Sequence, residues 1–416
     1  MAGSWPADGW ERHEHLQRTV DDVSTLHWDP LDATSHMDPY GIWKRLRDEA
    51  PVYRNDDRGF YALSRFADVE PAHRDTTTFV SGHGTVLEIM QEQPISTNQL
   101  MFLDPPAHTR LRGLVSRAFT PRRIDHLQGR IRAICNELFD RVAQQDRFDF
   151  VEDFAALLPS RVISELLGVP AADQEMLRKE IDLIFHVEPG VGMINDVSFN
   201  ASLNINTYIR SQLAECRSNP RDDMLTDLTR AEITDEEGTR RLTDAEAADF
   251  GNLLIAAGTE TVARLLGWSA IVLDAHPDQR RELVADPSLL PNAIEELLRF
   301  ETPSPVTGRW TTRDIELHGV RIPSGSKVLL IAGSANRDER HYPGADRFDI
   351  HRSFDVHLSF GQGAHFCIGA ALARMEGRIA LEATFQRFPE WEVDTASAVR
   401  ARTSTVRGYE QIPVVV

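Results

Sequence analysis

The chain has 416 residues, and its 64 Asp and Glu outnumber its 45 Lys and Arg, which gives a formal net charge of −19. This acidic balance argues against nonspecific nucleic-acid binding, which needs clustered basic residues to displace counterions. No run approaches the ~18–20 apolar residues of a membrane span, and the polar N-terminus has no apolar signal segment. Three cysteines without a CxxC motif are too few for a disulfide framework. We therefore predict a cytoplasmic protein that contacts neither membrane nor nucleic acid.

The first half of the chain predicts mostly helices. Residues 1–35 are predicted to be a tether, and residues 36–416 a single, mainly α-helical domain with small β-sheets. A helix is predicted over 39–49, and a hairpin with an Asn/Asp-rich turn follows it. The irregular segment 80–105 is long enough to favour a functional role. Apolar residues at helical spacing then dominate residues 106–217.

A long buried helix is predicted next. Thr243 and Glu246 form a capping-box pattern, and the helical pattern then runs without proline to about Ala275. Its middle is apolar on nearly all sides, so we expect this helix to cross the interior of the domain. The elements predicted beyond it are a helix over 291–300, two strands within 314–331 around a turn at 323–325, a helix over 368–388 and a terminal strand pair within 406–416.

Cys367 is the first candidate for chemistry. Gly361 and Gly363 precede it and Gly369 follows, which allows a tight loop to approach a flat ligand closely. The N–H groups of the helix that begins here favour the thiolate, the form that binds metals and attacks electrophiles. The alternatives are a buried structural cysteine, or a nucleophile paired with His365 for which no neighbouring group supplies an oxyanion hole. The glycine pattern favours a ligand-binding loop over both.

The loop sequence FGQGAHFCIG, residues 360–369, resembles the haem-ligand loop of the cytochromes P450. The resemblance extends over about residues 35–416 and implies that family's fold, a triangular, mostly helical prism around a buried haem. It implies that the cysteine thiolate is the axial ligand of the iron in haem b. The cofactor-binding residues that it implies in this loop are Phe360, Gly361, His365, Cys367 and Gly369.

A second motif, AGTET, begins at Ala257 in the long helix and resembles the family's oxygen-activation segment, in which many members carry Asp instead of Glu. A glycine inside a helix costs ~1 kcal/mol relative to alanine, so Gly258 needs a reason such as a flat ligand beside it and Ala257. The resemblance implies that Glu260 and Thr261 are catalytic and deliver protons to O2. The simpler alternative is that Glu260 forms an i, i+4 ion pair with Arg264.

The propionates of haem are two carboxylates that need cations or donors inside a protein. His108 and Arg112 lie four residues apart on a predicted helix, so both face the same way. They match the family's H-x-x-x-R, although without the family they would be a solvated basic turn. The resemblance adds Arg309 and His365 as further propionate contacts.

A structural network is also implied. Glu296 and Arg299 are one helical turn apart, but an isolated ExxR says little by itself. The resemblance adds Arg347, which we expect to complete a buried Glu-Arg-Arg network under the haem loop. Removal of one member would leave a buried charge unpaired at a cost of ~3–5 kcal/mol.

The resemblance implies a haem-thiolate monooxygenase that inserts one oxygen atom of O2 into a C–H bond of a mainly apolar small molecule. The sequence shows no flavin domain and no iron–sulfur cysteine set, so electrons are expected from a ferredoxin and its reductase, with NAD(P)H acting only through them. The alternatives are a peroxygenase that uses hydrogen peroxide and a non-catalytic haem-binding sensor. The candidates for a basic docking patch, otherwise ordinary surface charge, are Arg110, Arg112, Arg374 and Arg378.

Substrate contacts are predicted by resemblance at four positions outside the haem motifs. Ala256 lies on the long helix, Val306 and Thr307 lie after the ExxR helix, and Val406 lies near the C-terminus. We expect these residues to contact a small apolar substrate in a monomeric enzyme.

Overall fold

The computed structural model describes residues 26–32, 38–116, 121–185, 187–188, 191–235, 238–353, 355–401, 403 and 405–416, and helices are its main regular structure. The described helices are α1 (Tyr40–Glu49), α2 (Phe66–Arg74), α3 (Ala107–Ser116), α4 (Pro121–Val142), α5 (Leu157–Leu167), α6 (Gln174–Ile184), α7 (Asp196–Ser218), α8 (Met224–Arg230), α9 (Asp244–Ala275), α10 (Pro277–Ala285), α11 (Leu290–Phe300), α12 (Ala332–Ala335) and α13 (Ala370–Arg387).

The strands are short and form small sheets. They are β1 (Val52–Asn55), β2 (Phe60–Leu63), β3 (Phe79–Val80), β4 (Arg147–Asp149), β5 (Glu232–Asp235), β6 (Gly238–Arg241), β7 (Thr307–Thr311), β8 (Ile315–Leu317), β9 (Val320–Ile322), β10 (Lys327–Leu330), β11 (Glu392–Val393), β12 (Val399–Arg400), β13 (Tyr409–Gln411) and β14 (Pro413–Val415). The largest sheet has the order β1-β2-β10-β7-β3, and only its β2–β10 pair is parallel. The predicted fold class, mainly α with small β-sheets, is confirmed.

The long helix occupies the position that the sequence predicts. In the capping box of α9, the Thr243 side chain accepts from the Glu246 N–H at 3.2 Å, and the Glu246 carboxylate accepts from the Thr243 N–H at 2.8 Å. The N-terminal half of α9 belongs to a hydrophobic cluster with α6 and α7, and its C-terminal half to another with α4, α5 and α13. Because it joins two cores, α9 can hold a site between them. Within the described part of the chain, no helix is long and apolar enough to cross a membrane.

Two strand predictions are wrong in their pairing. Region 314–331 holds three strands, because β8 and β9 pair across His318 (φ 52°) and Gly319 (φ 76°), whose left-handed conformations suit a two-residue hairpin. Strand β10 instead joins the largest sheet. Among the described strands, β13 pairs with β12, and β14 lies between β11 and β4. Only Ile412 separates β13 from β14, which is too short a connection for a hairpin.

Part of the predicted tether is packed against the domain. Trp28 is 2% exposed, and its ring contacts Tyr53 and Phe60 edge-on at centroid distances of 6.4 and 5.8 Å. Its backbone N–H donates to the Tyr53 hydroxyl at 3.0 Å, and its carbonyl accepts from Asn55 Nδ2 at 2.9 Å. The tether prediction is therefore wrong for residues 26–32, whereas residues 1–25 and 33–37 lie outside the described residues.

The buried Glu-Arg-Arg network is present, but its third member was wrongly predicted. Arg299 donates to both carboxylate oxygens of Glu296 at 2.7 and 2.8 Å, and both side chains are fully buried. The third arginine is Arg352, whose Nε lies 3.2 Å from Glu296 Oε1 and whose other nitrogens donate to three backbone carbonyls. The Arg347 side chain is 75% exposed and pairs with Asp349 instead. Arg347 takes part in the network only through its backbone carbonyl, which accepts from Arg299 and Arg352, while its guanidinium faces outward.

Candidate active site

A cavity of about 370 Å³ lies between α9 and the loop that precedes α13. Most of its wall is apolar, with side chains from the irregular segment 80–105, α5, α9 and α13. The structure brings together on this wall the following residues that the resemblance implies: His108, Arg112, Ala257, Gly258, Thr261, Thr307, Arg309, Phe360, Gly361, His365, Cys367 and Gly369.

The loop before α13 holds Cys367 at the cavity. The Cys367 N–H donates to the Phe360 carbonyl at 2.8 Å, which closes the loop on itself. Gly363 has a φ of 69°, and a Cβ there would lie 2.9 Å from the Cα of Arg74, so this close approach to α2 requires glycine. Burial raises the pKa of the Cys367 thiol, while the Gly369 N–H and the charges of Arg112 and Arg374 act in the opposite direction. These groups partly offset the effect of burial on a thiol that lines the cavity.

A cluster of buried basic groups lies on the cavity wall beside this loop. His108 is 1% exposed, and neither of its ring nitrogens has a hydrogen-bond partner among the described residues. The His365 ring lies 4.2 Å from it between centroids, and Arg309 is 4% exposed. Burial lowers the pKa of His108 to about 4, of His365 to about 2 and of Arg309 to about 10. Among the described residues, His108 has no hydrogen-bond partner and the buried Arg309 has no carboxylate partner, so an anion is favourable here, and the two carboxylates of haem fit the cluster.

Within the AGTET motif on α9, Thr261 and Gly258 line the cavity, and Gly258 also packs against α5. The Thr261 hydroxyl lines the cavity and donates to the Ala257 carbonyl at 2.8 Å, one turn earlier in an unbroken helix. Gly258 also lines the cavity, but a Cβ there would lie 3.2 Å from Ile163 Cδ1, so the glycine also allows α5 to pack closely.

Glu260 lies outside the cavity lining that the described residues form. Its carboxylate accepts a hydrogen bond from Arg264, which also donates to the Tyr409 carbonyl. The alternative interpretation from the sequence, an i, i+4 ion pair, is therefore present in the structure. The pair is buried rather than on the surface, since the two side chains are 12% and 8% exposed.

Only one of the four predicted substrate residues lies on the cavity lining that the described residues form. Thr307 lines the cavity, whereas Ala256, Val306 and Val406 are not part of the lining formed by the described residues. Ala256 precedes Ala257 by one residue, and consecutive helical residues point about 100° apart. Val306 lies on a small separate cavity, and Val406 is 4% exposed, with its N–H bonded to the Thr403 hydroxyl. These three positions lie outside the lining that the described residues form, and direct substrate contact at them stays a prediction.

Sequence reasoning missed two titratable residues on the cavity wall, His73 on α2 and Glu376 on α13. Burial raises the pKa of Glu376 to about 8. A carboxylate one helical turn from Leu372 on an apolar face was the available signal for Glu376. His73 had no signal beyond its place in a short amphipathic helix.

Two arginines of the predicted docking patch carry ion pairs. Arg374 donates to Glu295 at 2.6 Å, and Arg378 donates to Glu382 at 2.7 Å. Arg112 turns inward, lines the cavity and donates to the Phe366 carbonyl at 2.6 Å. The positive charge on this face is therefore partly neutralised.

A thiol facing the middle of a long helix, beside a buried cluster that needs two carboxylates, is the arrangement expected of a haem-thiolate enzyme. A model of the cytochrome P450 family matches residues 57–408, and the chain belongs to this family. Cytochrome P450 123 of Mycobacterium tuberculosis is 40% identical over 389 residues, 93% of this chain and 96% of that protein. Vitamin D(3) 25-hydroxylase of Pseudonocardia autotrophica is 36% identical over 399 residues, 94% of this chain and 97% of that protein.

A solved structure supports the same assignment. CYP109E1 from Bacillus megaterium in complex with testosterone is 30% identical and superposes with a TM-score of 0.81, covering 91% of this chain and 99% of that chain. The predicted family and fold are confirmed, and the protein is a cytochrome P450 enzyme.

Proposed function

We propose that this P450 is a monooxygenase that inserts one oxygen atom of O2 into a C–H bond of a mainly apolar small molecule, with electrons from a ferredoxin and its reductase. The observation that carries the proposal is the cavity itself, whose lining includes Cys367, Thr261 and the buried basic cluster. Haem b, when bound through Cys367, supplies O2 binding and oxidising power.

Different residues of the cavity would contact different parts of the haem. Cys367 supplies the thiolate, and the alanine and glycine of AGTET leave room for a flat ring system beside α9. Four side chains would hold the propionates, with Arg112 and Arg309 supplying positive charge and His108 and His365 supplying hydrogen bonds. Neutral imidazoles each offer one N–H donor, and the arginines offer charged donors, so two carboxylates satisfy the cluster.

Thr261 positions a proton donor. Its hydroxyl hydrogen is committed to the Ala257 carbonyl at 2.8 Å, so its oxygen is free to accept a hydrogen bond from a water in the cavity. Such a water is then oriented to donate its own protons toward the centre of the site. Glu260 can resupply that water only when it parts from Arg264, so we propose that the buried pair is the resting arrangement of the proton relay.

The cavity wall favours an apolar substrate. Leu100 and Met101 of segment 80–105 and Phe250, Leu253 and Leu254 of α9 line it. The relative named for vitamin D(3) hydroxylation and the solved relative that holds testosterone suggest first probes. We propose that ring-containing hydrocarbons with few polar groups are the substrate class.

The first experiment tests the thiolate. The purified protein, reduced with dithionite and exposed to CO, is expected to show the long-wavelength Soret band of thiolate-bound haem. Cys367→Ser should lose this band, whereas Cys216→Ala, which removes a buried cysteine outside the cavity lining, should keep it. A wild-type protein supplied with haem that stays folded without a haem band would contradict the proposal.

The second experiment separates the enzyme classes. Turnover of vitamin D3 or testosterone is measured with NADPH, a ferredoxin and a ferredoxin reductase, and separately with hydrogen peroxide. Product in the first assay supports the monooxygenase. Product with peroxide alone would identify a peroxygenase, and a substrate-induced spin-state shift without product in either assay would identify a sensor.

A further inference from the structure

His73, near the end of α2, has surroundings that no motif explains. Its side chain is buried, with the residue 4% exposed, and it lines the same cavity as Cys367. Neither ring nitrogen has a hydrogen-bond partner among the described residues. A buried polar group without a partner costs folding free energy, so a native structure that contains one calls for an explanation.

His73 lies beside the cysteine loop and close to Arg309. A Cβ on Gly361 would lie 3.9 Å from both Nδ1 and Cε1 of the His73 ring, so the imidazole packs against the cysteine loop itself. The backbone of α2 also approaches this loop at Gly363, where a Cβ would lie 3.1 Å from the His73 carbonyl oxygen. Arg309 is close enough for its positive charge to help lower the pKa of the His73 ring. His73 is thus on the edge of the buried basic cluster, on the side of the loop.

Other interpretations fit these contacts less well. Arg309 donates to the Thr307 hydroxyl and the Gly308 carbonyl rather than to the His73 ring, so it does not supply the missing hydrogen bond. Burial lowers its pKa to about 3, so the ring is neutral and offers one N–H donor and one acceptor. A structural histidine would bond a nearby carbonyl, as His276 Nδ1 does with the Val272 carbonyl at 2.8 Å. His73 has no such bond among the described residues.

We propose that His73 is an additional cofactor-binding residue that donates a hydrogen bond from its ring to a propionate of haem. It joins His108, Arg112, Arg309 and His365 from a helix that carries none of the family motifs. This inference rests on the proposed haem site and assigns one more residue to it.

The test measures how firmly haem is held, independently of turnover. The holoprotein is mixed with excess apomyoglobin, and the rate of haem transfer is followed by absorbance. His73→Leu should release haem about tenfold faster, because one hydrogen bond to a charged group is lost. His73→Gln, which keeps a side-chain donor, should stay within about threefold of the wild type.

A matched control separates haem contact from helix stability. Val69 lies one turn earlier on α2 and is fully buried in the apolar core. Val69→Ala should lower the melting temperature but leave haem transfer within about twofold. Resonance Raman spectra should show a shifted propionate bending band in His73→Leu and an unshifted band in Val69→Ala.

The outcomes are distinct. If His73→Leu releases haem at the wild-type rate, or releases it faster with an unshifted propionate band, His73 does not bind the propionate and the inference is wrong. If the wild-type protein takes up no haem, the proposed function fails instead.

Discussion

Arg352 rather than Arg347 completes the buried network, and this correction leads to a quantitative prediction. The Arg352→Met variant removes a charged hydrogen bond to Glu296 at 3.2 Å and three bonds of 2.9 Å to backbone carbonyls. Breaking a buried ion pair costs about 3–5 kcal/mol. For 416 residues at ~2.1 cal/mol/K each, the unfolding entropy is about 0.9 kcal/mol/K, so the melting temperature should fall by about 3–6 °C.

Arg347→Met is the matched control, because the exposed Arg347 side chain holds only a surface pair with Asp349. Its free energy of unfolding should change by no more than about 0.5 kcal/mol. Melting is followed by circular dichroism on haem-loaded protein, and the fraction of thiolate-bound haem is read from the CO spectrum. Equal effects of the two substitutions, or a larger effect at Arg347, would refute the assignment of Arg352.

Three further predictions concern the helices around the cavity. Thr261→Ala should divert electrons into hydrogen peroxide, because the water it orients is lost; peroxide formed per NADPH consumed measures this, and unchanged coupling would contradict the role. Burial raises the pKa of Glu376 from 4.5 to about 8, so the native state keeps a proton that the unfolded chain releases above pH 4.5, and stability falls as pH rises through that range. Glu376→Gln has no such proton to lose, so its melting temperature relative to wild type should rise as the pH goes from 5 to 8. The gain should approach the equivalent of about 5 kcal/mol. A difference in melting temperature between variant and wild type that stays constant over this pH range would contradict the raised pKa. Thr243→Ala should lower the free energy of unfolding by about 1 kcal/mol, because it removes the N-cap of α9. Chemical denaturation at pH 7 measures this, and an unchanged denaturation midpoint would contradict it.

The parts of the site that were predictable from the sequence are those in which a local pattern is itself the structural requirement. The capping box of α9 depends only on Thr243 and Glu246, three residues apart, and the cysteine loop depends on glycines with positive φ beside Cys367. His108 and Arg112 are one turn apart on α3, so their common direction follows from helix geometry alone. Each of these predictions needed no knowledge of what packs against the element.

Long-range contacts could not be predicted in this way. The choice between Arg347 and Arg352 depends on how the chain turns between α12 and α13, and no local pattern records that turn. The same holds for Val306, which precedes the cavity residue Thr307 but lies on a separate small cavity, and for Val406, which is buried outside the cavity lining formed by the described residues. His73 reaches the cavity only because α2 packs against the cysteine loop through Gly363.

Glu260 shows why one residue supported two interpretations. The sequence offered either a proton relay or an ion pair with Arg264, and the structure contains the ion pair, buried and anchored at the Tyr409 carbonyl. A carboxylate at this depth is costly unless a cation accompanies it, so the pair makes an acidic residue tolerable inside an apolar helix. The pair lies beside Thr261, the next residue on α9, which lines the cavity. Under the proposed relay, Arg264 would hold Glu260 in the resting state, and the two interpretations would describe successive states of one residue rather than alternatives.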